Sequence, residues 1–335
     1  MKNFTLGIIA GNPKDSTSYY RAVGVYGSLR KIVPEMSMMM LEEVSWCSLK
    51  QIDVLFMQRP FNLDHVRIAE MAKKNKTPLI IDYDDDLCVV PLSNPTYFVY
   101  QAAAENIRRL LKLADKIMVS TMELGIRCQL DEPKKVIVVP NAMDNYLYDR
   151  IDGKIETNKS IAWRGSNTHL KDIWEVTPSM KNALTMYGKE WAVDFFGFCP
   201  FFIPDAVIPH IKTFNLHPPT DIVEYHIQFQ ASKPRIVIIP LSFDRFNEAK
   251  SHCGWIESVL AGSIVVAPNF AEWHRPGILN YKNPEDFGKV LSVAMSLSEK
   301  ECQDMNLEAW QHIKKHYLLS HVNLLRKKVL EELIG

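Results

Sequence analysis

Residues 240–267 read PLSFDRFNEAKSHCGWIESVLAGSIVVA, and this stretch decides how the rest of the chain is read. Residues 235–239, just before it, are β-branched and strand-like. A loop follows, then a helix that Asp244 or Asn247 can cap and Gly262 can end. The β-branched run at 264–267 makes the next strand. This is an αβ unit of an open parallel sheet, where ligands sit beyond the carboxyl ends of the strands. On the helix, Cys253, Ile256 and Leu260 form an apolar stripe. Lys250, Gly254, Glu257 and Ala261 form a second stripe with one cation, one anion and two small residues. A helix N-terminus with a lysine in its first turn suits a diphosphate, because free N–H groups and the dipole both favour negative charge. A carboxylate two turns on can accept hydrogen bonds from a ribose diol. The competing reading is a solvated face on which Lys250 and Glu257 have no special task.

The spacing P-L-x(5)-N-x-x-K-x(6)-E-x(4)-G, followed by a β-branched strand, resembles the donor segment of GT-B glycosyltransferases, in particular the retaining family 4-like group. The resemblance implies two Rossmann-like domains facing a cleft. It also implies a ribose-binding role for Glu257 and basic residues on the diphosphate of a UDP- or GDP-type nucleotide sugar. Glu257 matches the second glutamate of the family's E-x7-E motif, and Ala249 stands where the first would be.

Composition narrows the class. The chain has 335 residues, enough for two domains, and 47% of them are hydrophobic. Its 39 basic and 39 acidic residues balance to a net charge of zero, which argues against a strongly cationic nucleic-acid binder. The cysteines form no C-x-x-C pair and have no metal-type spacing with histidine, so a reduced, cytoplasmic protein is expected. No apolar run is long enough to span a bilayer.

In order along the chain, a strand at 5–10 precedes the Gly11-Asn12-Pro13 loop and a helix through Tyr19, Tyr20 and Arg21 to Lys31. The S-x-Y-R string at 18–21 resembles the family loop that approaches donor and acceptor from the N-terminal side, placing Tyr20 and Arg21 on the acceptor side. For Arg21, a plain surface charge is the alternative. Strands follow at 54–58 and 78–82, the second running into Asp82, Tyr83, Asp84, Asp85 and Asp86. So much repulsion at one strand end marks a candidate site, with three readings. The acids form a D-x-D metal site, or Asp84 and Asp85 bind sugar or acceptor hydroxyls in the cleft, or residues 84–86 only cap a helix. A GT-B chain fits the second, since that family generally needs neither metal nor cofactor. A helix at 97–114, a strand at 116–120, Ser120-Thr121, a strand at 136–139 and Pro140-Asn141-Ala142-Met143-Asp144 resemble the end of a GT-B N-terminal domain.

Residues 145–158 are polar and aperiodic and read as a linker. The expected division is 1–148 for the acceptor domain and 156–317 for the donor domain, with a helix at about 318–335 crossing back to the first. The second half restarts with a strand at 160–163 and then Arg164-Gly165-Ser166-Asn167-Thr168-His169-Leu170-Lys171. A glycine at this turn lets backbone approach a ligand. The loop resembles the family's G-x-x-x-x-K/H segment, which makes Arg164, Gly165, Ser166 and Lys171 donor-binding candidates beside Arg245, Asn247, Lys250 and Glu257. The plain alternative is a βα turn capped by Ser166 or Asn167. Further strands are expected at 192–196 and within 203–214, with helices at 221–230, 283–297, 298–316 and 319–333. The basic, amphipathic string KKHYLLSHVNLLRKK allows either membrane-surface binding or, as expected here, interdomain packing.

The function that the resemblance implies is transfer of a sugar to a hydroxyl acceptor with retention, with Arg164, Lys250 and Arg245 stabilising the departing diphosphate. Lys250, Asp84 and Asp85 are the catalytic candidates. A nucleotide-sugar epimerase-type enzyme and a non-catalytic scaffold are the other classes. The acceptor is a glycan, a small molecule or a hydroxymethylated base in DNA. DNA needs a positive groove, for which Lys73, Lys74, Lys76, Arg108, Arg109 and Lys112 are candidates.

Overall fold

Short, mostly apolar runs that are buried throughout, such as Val54–Gln58 and Ile264–Pro268, belong in parallel sheets covered on both faces. The computed structural model has two of them. It describes every residue except 1, 13, 43, 130–134, 147, 149 and 151. Pro13 of the first loop therefore lies outside the described residues.

The N-terminal half comprises β1 (Phe4–Ile9), α1 (Ser16–Arg21), α2 (Val23–Leu29), β2 (Met36–Met40), α3 (Trp46–Leu49), β3 (Val54–Gln58), α4 (Leu63–Asn75), β4 (Leu79–Tyr83), α5 (Tyr97–Leu113), β5 (Lys116–Val119), α6 (Met122–Gln129) and β6 (Val136–Val138). The C-terminal half comprises β7 (Asn158–Gly165), α7 (Leu170–Tyr187), β8 (Ala192–Gly197), α8 (Ile203–Val207), β9 (Thr213–His217), α9 (Ile222–Ser232), β10 (Pro234–Ile238), α10 (Arg245–Glu248), α11 (Cys253–Leu260), β11 (Ile264–Pro268), β12 (Ile278–Tyr281), α12 (Pro284–Ser296), α13 (Glu299–His316) and α14 (Leu319–Ile334).

The two six-stranded sheets run β2-β1-β3-β4-β5-β6 and β12-β11-β10-β7-β8-β9, and their named strands pair in parallel. The second order reverses between β7 and β10, where Trp163 is paired with Ile238. The loops after those two strands leave the sheet side by side and diverge, so a crevice opens there. In the first sheet the reversal lies between β1 and β3.

Apolar clusters cover the first sheet on both faces. One joins Leu55, Ile81 and Ile107, and the other joins Phe56, Ile80 and Val25. The second cluster also takes in Leu319, Val322, Val329 and Leu330 of α14, so the last helix does cross back and pack on the first domain. Asn323 fastens it to α2 through a 3.0 Å bond to the Val25 carbonyl. The crossing runs beside the outgoing chain at the Met143–Leu318 bridge, where the Met143 amide donates to the Tyr317 carbonyl and the Met143 carbonyl accepts from the Leu319 amide. No described helix is long and apolar enough to cross a membrane.

Three local expectations change. The helix expected to begin near residue 247 is split into α10 and α11, and Asp244 caps only α10. Lys250 therefore sits in the break ahead of α11 and not in its first turn. The segment expected to hold a strand within 203–214 is α8, a 3-10 turn and then β9. Pro204 at the start of α8 explains this, since it has no donor for a ladder and presets a helical φ. Strands β2 and β12 and helix α3 also carry no expectation from the sequence.

Candidate active site

A cleft of about 630 Å³ lies between the domains, at the carboxyl ends of both sheets. Its C-terminal wall is built from the end of β8, the loops after β7, β9 and β10, and from α9 and α11. Gly165 ends β7 where a Cβ would come within 2.6 Å of the Trp163 ring. Ser166 then caps the 3-10 turn Asn167–His169 by accepting from Thr168. This tight exit leaves the Arg164 guanidinium lying over α11, where a Cβ on Gly254 would stand 3.0 Å from its Nη2. Arg164 Nε donates to Glu257 at 3.0 Å, while the side chain stays 32% exposed to the cleft. Burial opposes the charge of Arg164, but Glu257, together with Tyr225, Cys253 and Tyr20, outweighs it, so its pKa is raised.

Glu257 is 2% exposed and fully engaged. Besides Arg164, it accepts from the Tyr225 hydroxyl at 3.1 Å and from the Tyr20 hydroxyl at 2.9 Å. Tyr20 comes from α1, so this bond joins the two domains. The Tyr20 oxygen also meets His226 Nε2 at 2.8 Å. Burial holds His226 below its ordinary pKa, which suits a neutral ring donating to that oxygen. Tyr19, Tyr20, Tyr148, Ile222 and Tyr225 surround the junction as one apolar cluster.

Lys250 projects from the break between α10 and α11, 4.5 Å over the Phe246 ring. It reaches across the cleft to Asp85 at 3.1 Å. Arg59 holds the same acid at 3.1 Å and Asp84 at 3.4 Å. Arg59 adopts a left-handed backbone (φ 49°) at the end of β3, a conformation that needs support from its surroundings. Its amide donates to the Asp82 carbonyl at 2.8 Å, and the two acids take its side chain. Burial pushes the Asp84 carboxyl up to about 6 against the pull of Arg59, with Asp85 adding to the rise. For Asp85, burial is outweighed by Lys250 and Arg59, which bring it down to about 2.

The acids of 82–86 thus each have a cation. Asp82 holds Arg21 through both oxygens, at 2.9 and 2.6 Å, and Asp86 holds Arg127 at 3.2 Å. Among the described residues, no three His, Cys, Asp or Glu side chains gather as a metal-binding set.

The structure brings Tyr20, Asp84, Asp85, Arg164, Gly165, Ser166, Lys250 and Glu257 together on the cleft. It does not bring Arg21, Lys171, Arg245 or Asn247 to its lining. Arg21 is completely buried, with Val139 and Asn141 taking the N–H groups that Asp82 leaves. It fixes the end of β4 from behind and faces no acceptor. Lys171 points to Glu175 on its own helix. Arg245 is exposed, and its carbonyl accepts from Arg127. Asn247 is buried and donates to Asp172 at 3.0 Å. Asp172 also accepts from the Ser242 amide at 2.9 Å and binds His169 at 2.8 Å, so it ties the loop after β10 to the loop after β7.

The sequence reading misses Arg59, Asp172, Tyr225 and His226. Arg59-Pro60 directly after a buried strand is a visible signal. Tyr225 and His226 on α9 have none, because only the fold places them against Glu257.

No family model matches the chain, and no curated protein matches it by sequence. Solved structures do match in shape. A glycosyltransferase from Rickettsia africae ESF-5 superposes with a TM-score of 0.68 at 11% identity, covering 100% of this chain and 99% of that one. An α-glucosyltransferase in complex with UDP-glucose and DNA containing an abasic site gives 0.65 at 12% identity, covering 99% of both chains. The chain has the GT-B fold. Anabaena HepE in complex with UDP gives 0.60 at 13% identity, covering 99% of this chain and 100% of HepE. At these identities the likeness is one of GT-B architecture, and the chemistry rests on the residues of the cleft.

Proposed function

We propose that the cleft binds a nucleotide sugar and transfers its sugar to a hydroxyl acceptor. The observation that carries this reading is the convergence of Arg164, from the end of β7, and Lys250, from the break between α10 and α11, on one interdomain cleft. Two such cations suit a diphosphate, because Arg offers a planar fork of donors and Lys a compact point charge. UDP is the first nucleotide to try, since HepE and the α-glucosyltransferase were solved with UDP and UDP-glucose.

In the transfer, the bond between the sugar's anomeric carbon and the diphosphate oxygen breaks, and a bond to the acceptor oxygen forms. The acceptor proton passes to the departing diphosphate, as in retaining enzymes of this fold. Arg164 and Lys250 stabilise the charge that builds on the leaving group, which is where fixed cations lower a barrier most. A metal then has no required part. Glu257 takes the ribose hydroxyls in this reading, and the Tyr20 hydroxyl now on its Oε1 has to yield to them.

Thermal unfolding with a panel of nucleotides and nucleotide sugars, with EDTA or Mg²⁺, tests the proposal on the native chain and Glu257→Ala. Ligand at about one hundred times its Kd adds about 2.7 kcal/mol of stability. The expected result is a shift with one nucleotide, independent of metal and lost in Glu257→Ala. A shift seen only with Mg²⁺ would move the site to Asp84 and Asp85. No shift with any nucleotide would sink the reading and leave a scaffold. Isomerised sugar from donor incubated alone would replace it with epimerase chemistry.

A further inference from the structure

The loop after β7 brings a second basic side chain to the cleft. His169 ends the 3-10 turn Asn167–His169 and lines the cleft together with Arg164 and Lys250. Its Nδ1 meets Asp172 Oδ2 at 2.8 Å. Asp172 is 5% exposed and firmly held, because its other oxygen accepts from the Ser242 amide at 2.9 Å and from Asn247 Nδ2 at 3.0 Å. A carboxylate fixed against one ring nitrogen orients the imidazole and makes Nδ1 the donor. Nε2, at the far edge of the ring, has no hydrogen-bond partner among the described residues, and the side chain is 25% exposed.

A second observation ties His169 to the spot that Lys250 reaches. Asp85 lies across the cleft, 3.1 Å from Lys250. Burial raises the Asp85 carboxyl, and Lys250, Arg59 and, more weakly, His169 together bring it down. The empty protein thus already holds an anion among these cations. A diphosphate bound by Arg164 and Lys250 takes the place that Asp85 now fills. The charged groups facing His169 are Asp172 from α7 and Asp85 from the loop after β4, with Lys250 and Arg59 holding the latter. Lysine and arginine keep their charge wherever histidine titrates, so His169 is the one cation of this set that pH can remove.

We propose that His169 is the third cation on the donor diphosphate, its Nε2–H donating to a phosphate oxygen, and that donor binding therefore weakens as pH rises. The proton stays on His169 throughout. In the transfer, the electron pair of the anomeric carbon–oxygen bond goes to the diphosphate oxygen, and the acceptor proton follows it, so no further acid or base takes part. The inference rests on the donor reading above.

The test is titration calorimetry with UDP-glucose, or with whichever nucleotide sugar shifts the unfolding temperature, from pH 5.5 to 8.5. The diphosphate of a nucleotide sugar keeps its charge over this range, so the ligand adds no dependence of its own. Loss of one hydrogen bond from a charged donor should weaken binding by about tenfold, and the native chain is expected to lose that much between the two ends of the range. His169→Gln should bind with the weaker affinity at every pH. His169→Lys, which keeps a permanent charge at the same place, should bind equally well at both ends. Affinity that is flat with pH in the native chain would overturn the inference and leave the donor reading intact. So would the same dependence in His169→Gln, which would assign it to Asp84, whose carboxyl titrates at about 6. If no nucleotide sugar binds at any pH, both readings fall together.

Discussion

Across the cleft, the wall built on β7 and β10 carries Arg164 and Lys250, whereas the wall built on β3 and β4 carries Asp84 and Asp85 with Arg59 between them. Each cation of the first wall has one ionic partner and an open side. The acids of the second are held by several groups and backed by the buried Arg21–Asp82 pair. One wall is arranged so that a diphosphate can compete for its cations, and the other pairs its acids with Arg59 and, through Asp85, with Lys250 across the cleft. Where the walls touch, N-terminal groups imitate ligand chemistry. Asp85 puts an anion on Lys250, and Tyr20 puts a hydroxyl on Glu257.

The largest effect is expected behind the acidic wall. Asp82→Asn leaves Arg21 completely buried without its counter-ion, and breaking such a pair costs about 3–5 kcal/mol. Urea unfolding measures this, and a loss under 1 kcal/mol would show that the acidic wall is not anchored there. On the other wall, Arg164→Ala is expected to lower kcat/KM by roughly 10²–10³, and also to lower stability, since it leaves the buried Glu257 without its counter-ion. An equal loss in Arg164→Lys would show that the planar fork matters and not charge alone. Next comes the contact between walls. Tyr20→Phe removes a hydrogen bond to a carboxylate, worth about 1.5–3 kcal/mol. It should destabilise the empty protein yet tighten nucleotide binding, and calorimetry reads both; weaker binding would mean that Tyr20 holds the donor.

The smallest effects concern pH and the remote cations. Asp84 faces Arg59, Arg21, Asp85 and Asp82, and its folded pKa of about 6 lies above the unfolded value. Its protonated form thus favours the fold at low pH, and that contribution fades as pH rises through 6. Asp85 has the opposite sign, contributing above the ordinary carboxylate range and losing this as pH falls toward about 2. Asp84→Asn should therefore compare more favourably with the native chain at pH 7 than at pH 4.5 in urea unfolding. A difference that is flat with pH would refute the assignment. Last, Arg108→Gln removes an exposed ion pair on the second half of α5, toward the end of the sheet away from the cleft. It should change stability by less than about 0.5 kcal/mol and leave transfer untouched.

The alternation of strand and helix was legible because buried parallel strands need continuous apolar runs with polar turns between them. Arg164 and Lys250 could be singled out because they lie in or beside such turns, and Glu257 because its spacing from Lys250 resembles the GT-B donor segment. Arg21 could not be placed, since an arginine at a helix end reads alike whether it faces solvent or a buried aspartate. Asn247 misled for a related reason: a polar residue near a site serves equally well as contact or as brace, and Asp172 makes it a brace. The break at 249–252 reflects a segment gripped from across the cleft. Thr121 donates to the Ala249 carbonyl at 2.9 Å, and Asn141 to Ser251 at 2.8 Å. Tertiary bonds of that kind leave no periodic mark in the sequence.

The returning helix α14 sets an order of assembly. Leu319, Val322, Val329 and Leu330 belong to the core of the first domain, yet the ribosome makes them after the whole second sheet. During synthesis, β7 to β12 can therefore collapse while the earlier sheet still lacks part of its cover. The half of the molecule that is made first cannot complete its core until the last helix has been made.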